Sequence, residues 1–354
     1  MSMPSHTRHR QPRSRLGDHD ARTWCGALGL AVGLTLGLVG CSADRDPAAS
    51  ASSSSPVRSS PAGDRASASP APPSDTRQRL RVDATTRHYL LHRPRPGGTS
   101  AGRKPPLVIA FHGRGATAAE MREVTRLDKA ADARGMLVAY PEGLREAWGA
   151  GTAPTRTRPD PDADVRFTEA LVKRLVADER ADPRQVYTVG FSNGGSMALR
   201  IAAQRPRLVA GTASVSGEIP TGPGTFKPSG PVPTVIVYGA ADPVRPLAGL
   251  RDPGPAPTGE EPVMATMSAR GSAQAFADAG RAGRPTTVPE AGYDRTVWRP
   301  RASDTSEAEV QLLVLHGAGH TWPGTHARPP KGFGRVSTAL DATDTVLDFL
   351  TQQR

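Results

Sequence analysis

A serine, then a carboxylate, then a histidine, each closing a short apolar run, can together perform nucleophilic acyl chemistry. Ser192 sits in Gly190-Phe191-Ser192-Asn193-Gly194, a G-x-S-x-G arrangement. A serine hydroxyl is a weak nucleophile until a base takes its proton, and the base needs an acid to hold its tautomer. Asp242 follows in Gly239-Ala240-Ala241-Asp242-Pro243-Val244, and His320 in Gly319-His320-Thr321-Trp322-Pro323-Gly324. Residues 79–354 contain six histidines: His88, His92, His112, His316, His320 and His326. His88 and His92 fall on an early strand-like run, His326 falls in a polar loop, and His316 abuts a strand end, where a structural role suits it better. His320 is therefore the candidate base. Asp252 competes with Asp242 for the acid's role, but it stands in the Pro/Gly-rich segment 251–262, where a carboxylate would be solvated. Neither an H-E-x-x-H run nor a carboxylate cluster accompanies His112, His316 and His320, so no metal is expected.

These residues need a scaffold that brings them to one edge. The run 185–190 (QVYTVG) reads as a buried strand and 194–204 as the helix after it, so Ser192 falls on a strand–turn–helix elbow. The alternative is a Gly-rich turn with a surface serine. Asp242 follows the apolar run 234–238 (TVIVY), and His320 follows 310–315 (VQLLVL), in the order Ser, Asp, His expected along such a sheet. An oxyanion site would take one backbone N–H from Asn193 and another from the early loop His112-Gly113-Arg114-Gly115, where Arg114 is the candidate. His112 then reads as a buried, hydrogen-bonded loop residue. Trp148 and Trp322 are candidate walls of a substrate cleft, with core packing as the alternative.

Further strands are expected at 86–93, 107–111, 136–140 and 208–215. Helices are expected at 117–134, 164–178, 264–279 and 337–352, the first opened by a Thr117–Glu120 capping box. Short continuous apolar strands alternating with helices predict an α/β fold, a mostly parallel sheet with helices on both faces.

The 354 residues include 37 Gly and 35 Pro, so part of the chain is expected to lie outside any core. Apolar heptads and repeated long apolar runs are missing, which excludes a coiled coil and a multi-span membrane protein. The formal charge is +11, without the clustered Lys/Arg and interleaved aromatics of a nucleic-acid face. Residues 1–40 read as an export signal: an Arg-containing polar start, then the uncharged run 26–40. It ends in Leu38-Val39-Gly40-Cys41, which resembles a bacterial lipobox, so Cys41 is the expected lipidation site. Residues 41–78 are Ser, Ala, Pro, Asp and Arg with almost no large apolar side chain, and read as a disordered tether. The folded domain is expected over 79–354. The protein is expected at the outer face of the cell membrane through Cys41, in part shed, as a monomer that touches membrane only through its lipid.

The chain resembles the secreted polyhydroxybutyrate-depolymerase-like esterases, which are similar to feruloyl and acetylxylan esterases of the first carbohydrate-esterase family. The resemblance is carried by Phe111-His112-Gly113, Tyr140-Pro141-Glu142-Gly143 with Trp148, Asp164-Val165-Arg166-Phe167, and the Ser192, Asp242 and His320 segments quoted above. It implies an α/β-hydrolase fold, Ser-Asp-His hydrolysis of carboxylic esters and no cofactor, with a small or oligomeric ester as substrate. Many relatives carry Cys where this chain has Arg114. With no polymer-binding module in these 354 residues, soluble esters are expected to be better substrates than insoluble polymer. An envelope acyltransferase and a catalytically idle binding protein on the same fold remain as alternatives.

Overall fold

The structure, a computed structural model, describes residues 75–94, 103–254, 262–301 and 308–352. The export signal, Cys41 and most of the tether fall outside the described residues.

Its frame is one ten-stranded sheet. Six parallel strands form the centre: β3 (Leu107–Phe111), β4 (Leu137–Pro141), β5 (Val186–Phe191), β6 (Gly211–Val215), β7 (Thr234–Gly239) and β10 (Val310–Leu315). They stand in the order β4-β3-β5-β6-β7-β10. An antiparallel hairpin closes each side, β1 (Asp75–Val82) with β2 (Thr85–His92), and β8 (Thr286–Glu290) with β9 (Tyr293–Trp298).

The central strands are Val-, Ile- and Leu-rich because both of their faces are covered. On β3, Leu107, Ile109 and Phe111 point to one apolar layer, and Val108 and Ala110 to the other. The first layer takes up α3 (Ala163–Asp178), α4 (Asn193–Gln204) and α5 (Ala269–Ala279) through Phe167, Leu171, Met197, Ile201 and Phe276. The second takes up α1 (Ala118–Thr125), α2 (Leu127–Arg134) and α6 (Ala342–Gln352) through Met121, Leu127, Val346 and Leu350. Chain order reverses beside β3: β4 lies on one side of it and β5 on the other. The carboxyl ends of β3 and β5 therefore flank a crevice of the kind where α/β sheets bind ligands.

Three departures from expectation have physical causes. The stretch 117–134 is two helices, not one. Thr125 Oγ1 donates back to Met121 O (2.7 Å), and its own carbonyl accepts from Thr343 Oγ1. Arg126 then takes a left-handed φ of 53°, which turns the chain. Strand β1 begins at Asp75, inside the segment read as tether, because pairing with β2 extends the ladder over polar residues ahead of Leu80 and Val82, which pack against the core. The β8–β9 hairpin was not foreseen; Thr286–Glu290 is exposed throughout and carries Pro289, which an edge strand tolerates.

The Thr117–Glu120 capping box forms. Thr117 Oγ1 accepts from Glu120 N–H (3.2 Å), and the Glu120 carboxylate accepts from Thr117 N–H (2.7 Å). Thr117→Ala should therefore lower unfolding free energy by about 1 kcal/mol in urea titrations, with an unchanged slope.

Candidate active site

The elbow after β5 is built by close approach of backbone. A Cβ on Gly190 would meet Gly194 O at 2.1 Å, and one on Gly194 would meet Phe111 O at 2.2 Å. Only glycine fits either place, which is why the motif needs both. Between them Ser192 is held at φ 55°, ψ −117°, outside the regions an L-residue prefers. Its N–H donates to Val215 O (2.8 Å), and the adjacent glycines and α4 hold the strained turn.

Ser192 Oγ lies 2.8 Å from His320 Nε2, and His320 Nδ1 lies 2.7 Å from Asp242 Oδ2. Asp242 is aimed by its own loop, its Oδ1 accepting the N–H groups of Val244 (2.9 Å) and Arg245 (2.8 Å). An ionised carboxylate facing Nδ1 places the imidazole proton there and leaves Nε2 to accept from the serine. The ring of His320 is fixed by Phe191 (centroids 5.1 Å apart) and by Phe333, edge-on at 5.2 Å. All three polar residues are buried, so their bonds act in a medium poorer in water than the surface.

The early loop lies against Ser192: a Cβ on Gly113 would stand 3.6 Å from Ser192 Cβ. Asn193 begins α4, so its N–H belongs to the first turn, where backbone donors have no partner within the helix and the helix dipole is positive. Its side chain is fully engaged by Trp148, Oδ1 accepting the Trp148 N–H (2.7 Å) and Nδ2 donating to Trp148 O (3.2 Å). Arg114 follows Gly113 in the same turn, and its guanidinium donates to Pro262 O (3.0 Å).

Of the two readings of Trp148 and Trp322, cleft wall or core packing, burial of both rings favours packing. Trp148 Nε1 donates to His112 O (2.9 Å), so this ring braces the His112-Gly113 loop while its backbone braces Asn193. Trp322 Nε1 donates to Thr343 Oγ1 (3.0 Å), tying the His320 loop to α6. His112 is buried, with Nδ1 facing Gly113 O (2.7 Å) and Nε2 accepting Gly143 N–H (2.9 Å). These partners define a neutral ring protonated on Nδ1, and burial pushes its pKa down. His316 is half-exposed and pairs with Asp294 (3.2 Å), away from the triad. Asp252 is exposed and caps the Gly254 N–H (3.0 Å).

Two polar clusters around the site went unforeseen. Asp164 is buried and takes Arg87 Nη2 (2.8 Å), Arg158 Nη1 (2.9 Å) and the N–H of Gly149 (2.7 Å). Arg200 is buried too, and its Nη1 donates to the carbonyls of Gly149, Gly151 and Pro161. Its signal in the sequence was an arginine within the apolar stretch Met197-Ala198-Leu199-Arg200-Ile201-Ala202-Ala203. The second cluster backs the acid loop. Ser196 Oγ accepts from Arg245 Nη1 (3.0 Å) and from Glu218 N–H (3.2 Å), and Thr266 Oγ1 donates to the buried Glu218 carboxyl. Burial pushes Glu218 up to about 7, with Arg245 opposing and Asp242 assisting.

A model described as esterase PHB depolymerase matches residues 88–222. NocK of Nocardia uniformis subsp. tsuyamanensis, a protein named as an esterase, is 42% identical over 286 residues, 78% of this chain and 82% of its own length. The chain belongs to the PHB-depolymerase esterase family. Feruloyl esterase B of Piromyces equi is 31% identical over 155 residues, 42% of this chain and 28% of that protein. The solved Thermogutta terrifontis esterase 2 superposes with a TM-score of 0.50 at 14% identity, covering 79% of this chain and 94% of its own, and so shares the fold. This member of the family is a carboxylic ester hydrolase on an α/β-hydrolase fold.

The buried Glu218 gives this esterase a testable pH response. Its proton leaves near 4.5 in the unfolded chain and near 7 in the folded one. Below 4.5 both states hold the proton; between 4.5 and 7 only the folded state does, so rising pH costs stability, and above 7 the loss levels off. Glu218→Gln should therefore gain on wild type by up to about 3 kcal/mol between pH 4.5 and 7.5 in urea unfolding. A constant difference across that range would show an ordinary carboxylate.

Proposed function

We propose that this esterase works through Ser192, His320 and Asp242 as an exported, lipid-anchored enzyme acting on short hydroxyalkanoate oligomers or on acyl and feruloyl esters of polysaccharide. The observation that carries the catalytic part is the unbroken hydrogen-bonded chain from Asp242 through His320 to Ser192 Oγ. In this reading Ser192 Oγ attacks the ester carbonyl as His320 Nε2 takes its proton. Asp242 stabilises the resulting imidazolium without itself being protonated. The backbone N–H groups of Asn193 and Arg114 face the oxyanion, at the positive end of α4. His320 returns the proton to the departing alcohol. It then activates water, which releases the acid from the acyl-serine. No cofactor enters. The substrate class is supported by the feruloyl esterase among the relatives and by the description of the family model. Export and anchoring are supported by the apolar run 26–40 and the Leu38-Val39-Gly40-Cys41 tetrapeptide.

Ser192→Ala should abolish both p-nitrophenyl acetate hydrolysis and labelling by a fluorophosphonate probe while the melting temperature holds. Labelling that persists would place the nucleophile elsewhere. Asp242→Asn should cut turnover by about 10⁴, the scale seen when a triad acid becomes an amide. Asp252→Asn, an exposed change, should stay within about threefold of wild type. The reverse ranking would reassign the acid.

Cys41→Ala should leave unprocessed precursor or protein that no longer enters the detergent phase after Triton X-114 separation. Wild-type protein found only in the aqueous phase would remove the anchor.

A further inference from the structure

The loop that follows His320 carries a feature the hydrolytic steps do not use. Residues 326–335 read His-Ala-Arg-Pro-Pro-Lys-Gly-Phe-Gly-Arg, with Arg328, Lys331 and Arg335 as cations and no carboxylate. Pro243, Arg328, Pro329, Pro330, Lys331 and Gly334 are among the residues lining an open surface depression of about 710 Å³. That volume falls within the ~300–1,000 Å³ usual for small-molecule sites. Prolines make up much of the wall, and their fixed φ keeps it stiff before anything binds. Arg328 and Lys331 are exposed, and among the described residues neither side chain has a hydrogen bond or ion pair. Two unpaired cations on a stiff concave wall with no lining acid make a site complementary to an anion.

The depression adjoins the acid–base pair. Pro243 directly follows Asp242. Gly334 packs between the two catalytic loops, since a Cβ on it would stand 2.9 Å from Gly319 Cα and 3.6 Å from Pro243 Cδ. Phe333, between Lys331 and Gly334, accepts the His320 N–H through its carbonyl (2.6 Å) and sets its ring edge-on to the imidazole. A group held here is thus held by the loops that carry Asp242 and His320.

We propose that this depression is a subsite for a carboxylate carried by the ester substrate, with Arg328 and Lys331 as its ligands. The guanidinium offers a planar fork that matches a carboxylate, and the ammonium adds a mobile point charge. The proposal rests on the Ser192 reading, because it assigns the anion to a substrate whose carbonyl meets that serine. Two kinds of ester present this chemistry: oligomers of hydroxy acids, which end in a free carboxylate, and acylated acidic sugars.

The test uses the full-length protein and matched esters, p-nitrophenyl hydrogen glutarate against methyl p-nitrophenyl glutarate. Wild type should prefer the anion about tenfold in kcat/KM at low salt, as two partly exposed ion pairs allow. The preference should shrink in 0.5 M NaCl through screening. Arg328→Gln with Lys331→Gln should erase it by raising KM for the anion at constant kcat, while the neutral ester stays within about twofold. Hydroxybutyrate trimer against its methyl ester, and acetylated glucuronic acid against acetylated glucose, then separate the two sources. Absence of a preference in wild type, or equal losses on both glutarate esters in the variant, would overturn the subsite. Calorimetry of p-nitrophenyl hydrogen glutarate on Ser192→Ala protein reads the depression without turnover. About tenfold weaker binding on adding the two glutamine changes supports the subsite; identical binding removes it. Hydrolysis that survives in Ser192→Ala would instead defeat the triad reading and leave the binding result standing.

Discussion

Everything in this domain is arranged around one requirement: three loops must meet with hydrogen-bond accuracy. His320 has to stand 2.8 Å from Ser192 Oγ and 2.7 Å from Asp242 Oδ2 at once. A parallel sheet does this with little freedom, because β5, β7 and β10 all end on the same edge, and β7 and β10 are hydrogen-bonded neighbours in register from Thr234 with Val310 to Gly239 with Leu315. The acid and the base therefore leave adjacent strand ends at the same height. The serine leaves β5, two strands away from β7, and α4 begins beneath it at once. Strain at Ser192 is local to that turn. It persists because α4 is buried from Asn193 to Ala203 and cannot shift without opening the core on its face of the sheet.

The irregular stretch between β4 and α3 has no sheet to hold it, yet Trp148 within it must keep Asn193 in place. Buried guanidiniums take the role that strand pairing takes elsewhere. Arg158 and Arg200 collect carbonyl groups of that stretch which would otherwise be buried without donors, and Asp164 balances part of their charge. Removing the Asp164 carboxylate would leave Arg87 and Arg158 buried and short of their counter-ion, which typically costs several kcal/mol. The expected damage reaches the His112-Gly113 loop as well as the fold, because Gly149, an Asp164 partner, adjoins Trp148. A buried polar cluster thus holds the segment whose Trp148 in turn holds Asn193, the neighbour of Ser192.

What could be read from the residues alone follows the strength of the local signal. Strands β3, β4 and β7 are nearly continuous apolar runs flanked by Gly or Pro, and they fall within a few residues of the expected places. The serine, acid and base segments are legible because each pairs a polar residue with glycines at a strand end. The edge elements were hidden for the converse reason. In β8 the ladder hydrogen bonds form without an apolar face, and in β1, among the described side chains, only Leu80 and Val82 reach the core, so the polar start of that strand carries no alternation to mark it. The break at Arg126 was hidden because it depends on Thr343, far along the chain, reaching back to Thr125 O. Trp148 and Trp322 stayed open between two readings because an aromatic near an active-site motif has the same sequence signature whether its ring faces substrate or braces a loop. Only the indole N–H partners, His112 O and Thr343 Oγ1, distinguish the two.

The acid loop shows how far this support extends beyond the triad. Asp242 is oriented by the N–H of Arg245, and Arg245 is held in turn by Ser196 through its guanidinium and by Tyr238, whose hydroxyl donates to its carbonyl (3.0 Å). Ser196 stands one helical turn after Ser192 and donates its own N–H to Ser192 O (3.0 Å). The acid's position is thereby referred back to the nucleophile's helix, not only to its own strand. Glu218 joins the same hub through Ser196 and lies in a medium that resists its ionisation.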